Sequence, residues 1–171
     1  MPPFGSRPQH GGRRPPRQRE KSEFDQKTID LARVTRVVAG GKRMRFRACV
    51  VIGDRKGRVG MGLGKGADVQ GSVEKAVSAA KKHLVTVALH KGTIPHAVVL
   101  KFRAARVLLK PAPPGSGVIA GGAARTVLSL AGIRDVVSKM LGSKSKINNV
   151  QAVLLALGKL QARRSPKPKA P

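Results

Sequence analysis

The chain has 171 residues, with 35 Lys and Arg against 8 Asp and Glu, a formal net charge of +27. From Leu31 to Leu160 there are 24 basic residues and only four acids (Asp54, Asp68, Glu74 and Asp135), so the excess is not confined to the tails. Such self-repulsion disfavours a compact state unless a polyanion neutralises it, which points to nucleic acid rather than a merely soluble surface.

With no Trp, no Tyr and four Phe, the chain lacks the aromatics on which single-stranded bases stack, so recognition falls to phosphate, sugar and groove shape. Cys49 is alone and can form no internal disulfide, which fits a reducing cytosol. No apolar run reaches the roughly 20 residues of a membrane span. Residues 1–26 read as a disordered basic Pro/Gly/Arg arm with no secretory h-region, and residues 163–171 as a basic tail. Two folded segments lie between them, at 27–90 and 91–162.

In the first segment, residues 31–38 form a strand ending in a hairpin turn at Gly40 and Gly41, where both glycines are expected at positive φ. Residues 43–52 alternate. Met44, Phe46, Ala48, Val50 and Ile52 point one way and Arg43, Arg45 and Arg47 the other, three guanidiniums about 6.6–6.8 Å apart along one face. A second turn at 53–57 leads into a strand at 58–63. The Gly-studded stretch Gly60–Gly66 then precedes a helix over 69–89 whose stripe includes Val73, Ala76, Ala80, Leu84 and Val87. The segment reads as βββα.

The second segment carries strands at 96–102 and 105–110, a glycine loop at 115–122, and a helix at 123–131 with Gly132 as its C-cap. A short strand follows within 133–141. Asn148 or Asn149 then caps a last helix that turns Val150, Val153, Leu154, Leu157 and Leu160 inward. The fold class is α+β.

A catalytic reading fails on inventory. His10, His83, His90 and His96 show no metal-ligand spacing, and no carboxylate lies between Glu74 and Asp135 while ten cations do. Gly62-Leu-Gly64-Lys-Gly-Ala67 matches a dinucleotide fingerprint, but no acid lies about 20 residues on, and Lys65 is followed by Gly66 rather than the Ser or Thr of a phosphate-binding loop. The glycines remain candidates for holding an anion at a helix N-terminus. No enzyme activity, metal, cofactor or small-molecule substrate is expected. The phosphate-binding candidates are Arg33, Arg36, Lys42, Arg43, Arg45, Arg47, Arg55, Lys56, Arg58 and Lys65.

Several ordered blocks resemble the family of the fifth protein of the bacterial small ribosomal subunit. They are Arg33-Val-Thr-Arg-Val-Val-Ala-Gly-Gly-Lys42, Phe46-x-Ala-x-Val-Val-Ile-Gly-Asp54, Gly57-Arg-Val-Gly-x-Gly-x-Gly-Lys65 and Pro114-Gly-Ser-Gly-Val-Ile-Ala-Gly-Gly-Ala-Ala-Arg125. The likeness runs from about Phe24 to Leu160. It implies a βββα domain similar to part of a double-stranded-RNA-binding domain, then an α+β domain with a left-handed βαβ crossover. It further implies binding to small-subunit ribosomal RNA, contacts with the fourth and eighth proteins of that subunit, a place on the path by which messenger RNA enters, an influence on decoding accuracy, and a cytoplasmic, ribosome-bound location. Thr35, Arg36, Gly40 and Gly41 match a loop near the spectinomycin site, and Gly117 and Arg125 match the contact with the fourth protein. The long basic arm and Gly71 at the helix start depart from the family pattern. The alternative class is a free architectural protein of RNA or DNA, such as a nucleoid or RNA-chaperone factor.

Overall fold

The structure is a computed structural model that describes residues 23–161. The basic arm up to residue 22 and the tail at 163–171 lie outside the described residues. Strands β1 (Asp25–Val38), β2 (Gly41–Gly53), β3 (Arg58–Gly66) and β4 (Leu84–Thr86) form an antiparallel sheet in that order, with helix α1 (Val69–Lys82) between β3 and β4. Strands β5 (Val98–Phe102), β6 (Ala105–Pro111), β7 (Val118–Ile119) and β8 (Val136–Gly142) form a second sheet in the order β5-β6-β8-β7. Helix α2 (Gly122–Ala131) links the parallel pair β7 and β8, and α3 (Lys146–Gly158) follows. The α+β class holds, with a fourth strand added to the expected βββα.

Two expectations about α1 fail together. The helix ends at Lys82, and Leu84 and Val87 lie beyond it, Leu84 in β4 pairing with Gly60. Their helical spacing mimics a longer helix, but Leu84 joins the edge of β3 as strand and Val87 N donates to Gly57 O at 2.8 Å just before it. His83 closes α1, and His90 bridges to Thr93.

The Gly-studded stretch is strand throughout, β3 running on past the expected end at 63 to Gly66. Gly60, Gly62, Gly64 and Gly66 all face α1, and a Cβ on any of them would collide with helix backbone, for example at 2.6 Å from Ala76 N for Gly64. The helix answers with its small buried residues Ser72, Ala76 and Ala80. A four-residue step on a helix advances about 6 Å and a two-residue step on a strand about 6.6–6.8 Å, so the two rows stay in phase along β3. No pliable anion loop exists there.

Both faces of the first sheet are covered at its inner end. Ala48, Val50 and Ile52 pack with Ala76 and Ala80 under α1. On the opposite face Cys49, Val51, Val59 and Met61 join one core with Leu128, Leu130, Val150 and Leu157 of the second half. The turn after β2 is stitched to the end of α2: Arg55 N donates to Leu130 O (3.0 Å) and Gly57 N to Ala131 O (3.0 Å). Gly132 caps α2 at φ +86°, as expected, and fits because a Cβ there would strike the backbone of Arg55. Helix α3 begins after Ser145 rather than at Asn148 or Asn149. Asn149 sits one turn inside, buried, with Nδ2 donating to Ser143 O at 2.9 Å.

Candidate nucleic-acid interface

The β1–β2 hairpin extends past the shared core, and its register sorts the cations by face. Arg36 lies opposite Arg43, Val34 opposite Arg45, Ala32 opposite Arg47, and Arg47 opposite Lys65 of β3. Cross-strand partners share a face, so Arg36, Arg43, Arg45, Arg47 and Lys65 stand together. Four of them (all but Arg47) line a hollow of about 340 Å³ floored by Val34 and Val38. No acid lines it. Arg33 and Lys42 pair with Phe46 and Val37 and so project from the other face of the hairpin.

Arg47 departs from the expected row of unpaired guanidiniums. It lies 3.6 Å from Asp30, which also receives Lys146 Nζ of α3 at 3.2 Å. The acid comes from a neighbouring strand, out of reach of any local pattern. Below this pair the Cys49 thiol is buried and, opposed also by the Asp30 charge, is pushed up to about 11, so it stays protonated and inert at neutral pH.

Arg55, Lys56 and Arg58 belong to the opposite end of the sheet. Arg55, at φ +56°, pairs with Asp25 at 2.8 Å. Arg58 Nε donates to Asp54 Oδ2 (2.7 Å), its NH2 group to Glu23 Oε1 (2.7 Å), and its guanidinium covers the Phe24 ring at 5.2 Å. Asp54 also accepts the backbone N–H groups of Lys56 and Arg58 at 2.7 and 3.0 Å. Burial opposes ionisation of this carboxyl, but the hydrogen bonds from Arg58 and Lys56 outweigh it and hold the group down at about 2. Two of these three cations are thus already answered by acids. The ten candidates form no single site: the hairpin face is the unneutralised part.

Only Gly41 of the expected pair has positive φ (+134°); Gly40, which with Ala39 forms the two-residue turn, does not, and Gly41 already pairs with Val38. Gly117, at φ +69°, is held from within. Its N–H and that of Gly115 donate to Asp135 Oδ1 at 2.9 and 3.0 Å, so the glycine loop needs no outside partner for order. Arg125 is exposed on the first turn of α2 and borders a different hollow, with Lys27 and Arg55. Sequence reasoning missed Asp135 as the organiser of this end; its Thr93 contact, Oγ1 to Asp135 O at 2.6 Å, spans 42 residues.

The second sheet leaves one face bare. Val99, Lys101, Arg106, Leu108, Lys110, Val137, Lys139, Leu141 and Ile119 share it by register, and it carries four cations and no acid. Among the described residues no three His, Cys, Asp or Glu side chains come together to hold a metal, and no helix is long and apolar enough to cross a membrane.

A cation-faced hairpin on a two-part α+β core, with acids spent on structural pairs, defines a nucleic-acid-binding protein of structural type. Comparison with known sequences makes the class specific. Residues 24–88 match the N-terminal domain of ribosomal protein S5 and residues 100–167 its C-terminal domain. The chain is 51% identical over 146 residues to small ribosomal subunit protein uS5 of Synechococcus elongatus, covering 85% of this chain and 81% of that one. It is 49% identical over 151 residues to the uS5 protein of Thermosynechococcus vestitus, covering 87% of each. The chain belongs to the ribosomal protein S5 family, whose role is structural and not enzymatic.

Proposed function

We propose that this chain is built into the small ribosomal subunit through its hairpin, with Arg36, Arg43, Arg45 and Lys65 lying on ribosomal RNA phosphates. The observation that carries this reading is the hollow lined by those four cations with no acid beside them. Each phosphate met there releases condensed counterions, and a hollow lined by no aromatic side chain suits the shape of folded RNA rather than splayed bases. Arg33 and Lys42, on the reverse face, reach a second RNA segment. The Thr35–Gly41 tip stands at the spectinomycin site, and the surface of Gly117 and Arg125 meets the fourth small-subunit protein. The eighth protein, the path of incoming messenger RNA and an effect on decoding accuracy belong to the same placement, in the cytoplasm.

A sucrose gradient of cell lysate in high salt tests the reading. The chain is expected to sediment with the small subunit; recovery at the top of the gradient, or with DNA, would favour a free architectural protein. Arg125→Ala is expected to raise miscoding with ribosomal RNA affinity nearly unchanged. Loss of RNA binding with accuracy intact would give that surface to RNA.

A further inference from the structure

Helices α2 and α3 cover one face of the second sheet and leave the other to solvent. An antiparallel sheet with one wet face ordinarily turns polar residues outward along it. Here the outward set includes Val99 and Ile119, each 53% exposed, Leu141 at 42% and Val137 at 38%. Single exposed aliphatic residues are commonplace, but several on one face, bordered by charge, mark a surface that meets a partner. Between them stand Lys101, Arg106, Lys110 and Lys139. Among the described residues none of these four makes an ion pair, and no acid shares the face.

Register sets the relief of this surface. Lys101 lies opposite Arg106, and Arg106 opposite Leu141; Val99 lies opposite Leu108, and Leu108 opposite Lys139; Lys110 lies opposite Val137, which pairs with Ile119. Half-buried Leu108 is thus central, with Arg106 and Lys110 on either side of it along its own strand and Lys139 across from it. Lys and Arg side chains are longer than those of Val, Leu and Ile, so the charged heads stand above the face and the aliphatic groups lie in the recess between them. An occupant has to bring anions to the raised heads and apolar groups into the recess. A regular RNA backbone supplies the first and not the second, and a smooth lipid surface meets the heads before the recess. A second copy of this chain, at +27, would set cation against cation. Residues 1–22, with six cations and one acid, and residues 162–171, with four cations and no acid, fail in the same way. A folded protein with carboxylates around protruding aliphatic side chains meets both demands.

We infer that the bare face of the second sheet docks an acidic protein surface, whose aliphatic side chains fill the recess around Leu108 while its Asp and Glu residues meet Lys101, Arg106, Lys110 and Lys139. The inference rests on the small-subunit reading above but concerns a surface separate from the hairpin. It divides the charge of the chain between two kinds of anion: the hairpin's cations face phosphate, and these face carboxylate.

The test is made on intact small subunits from cells whose only copy of this chain carries Val99→Cys or Val137→Cys, with the same variants free in solution as the reference. Both positions should take up a maleimide in the free chain and lose that uptake in the subunit, while the native Cys49 is buried in either state. A carbodiimide joins an amine to a carboxylate only where the two meet. In subunits with the unaltered chain it should link Lys101, Lys110 or Lys139 to Asp or Glu of one other protein, read by mass spectrometry. Adding Lys101→Glu and Arg106→Glu to Val99→Cys should restore maleimide uptake in the subunit, because like charges then face each other across the interface. Uptake that stays lost in that variant overturns the inference. So does absence of the amides, their formation with acids of a second copy of this chain, or ultraviolet crosslinks from residues 98–110 to RNA in their place. A chain missing from the subunit fraction overturns the proposed function and this inference together. A chain present there with positions 99 and 137 still open overturns this inference alone.

Discussion

The two ends of the first sheet carry similar numbers of cations and opposite net results. At the β2–β3 turn, Arg55 and Arg58 meet Asp25, Asp54 and Glu23, and the turn is pinned to the end of α2. At the hairpin end, Arg36, Arg43, Arg45 and Lys65 border one hollow without an acid. The same strands therefore serve as an internal joint at one end and as a polyanion surface at the other. Counting basic residues does not separate these roles. Where the few acids fold back to does.

The largest effect is expected from disturbing what holds the ends in one rigid sheet. A Cβ at Gly62 would drive into Ala76 and Ala80 backbone, Ala80 N lying at 2.6 Å, and backbone cannot swing aside as a side chain can. Gly62→Val should destabilise the protein by about 1–3 kcal/mol or more, as overpacking does. Gly71→Ala, where nothing lies within 4 Å, should be neutral or slightly stabilising. A urea midpoint unchanged in Gly62→Val would show that α1 does not clamp β3.

Next in size is the direct comparison of the two ends. Replacing Arg36, Arg43 and Arg45 by Ala should lower the salt slope of ribosomal RNA binding by roughly 0.7–0.9 for each phosphate no longer neutralised. Replacing Arg55, Lys56 and Arg58 should change the slope much less, because two of those charges are neutralised internally. Equal reductions would erase the distinction. A finer cut falls at the tip: Gly41→Val forces a β-branched residue to φ +134° and should alter spectinomycin sensitivity, while Gly40→Ala, with open space and ordinary φ, should not. Identical behaviour of the two variants would detach the tip's shape from the drug site.

The unequal legibility of the sequence follows from how local each signal is. The alternation through 43–52 placed the arginine row, and Gly132 and the stripe of α3 placed the second half's helices, because each depends on neighbours in the chain. The glycines at 60, 62, 64 and 66 also carried a local signal, a period of two that belongs to a strand. Their number suggested an anion-holding stretch instead, since the reason for them, a helix pressed onto the strand, is tertiary. The end of α1 at Lys82 was hidden because Leu84 and Val87 keep helical spacing while Leu84 pairs with β3 and Val87 with Gly57 of the preceding turn. The ion pairs Arg58–Glu23 and Lys146–Asp30 span 35 and 116 residues, and no spacing could disclose them.

The smallest expected effect isolates the joint itself through pH. Asp54 is held at about 2, below its ordinary 3.8. A carboxyl whose folded value is depressed adds stability that is complete above the unfolded value and is lost as pH falls through the folded one. The window is thus from about 3.8 down to about 2. Asp54→Asn removes the titration but keeps an acceptor for the Lys56 and Arg58 N–H groups, so the turn retains its shape. Urea midpoints at pH 5 should fall modestly in the variant, because the pair is near the surface and water screens it. Between pH 4 and 2 the unaltered protein should lose more stability than the variant, and the two curves should converge. Parallel curves would mean that the joint is held by the backbone bonds to Leu130 and Ala131 alone, and that the acids serve only to cancel charge. Salt separates those roles further. If Asp54 and Glu23 chiefly cancel charge, high salt should raise the variant's midpoint toward that of the unaltered protein; if the hydrogen-bonded geometry matters, a gap should persist after screening.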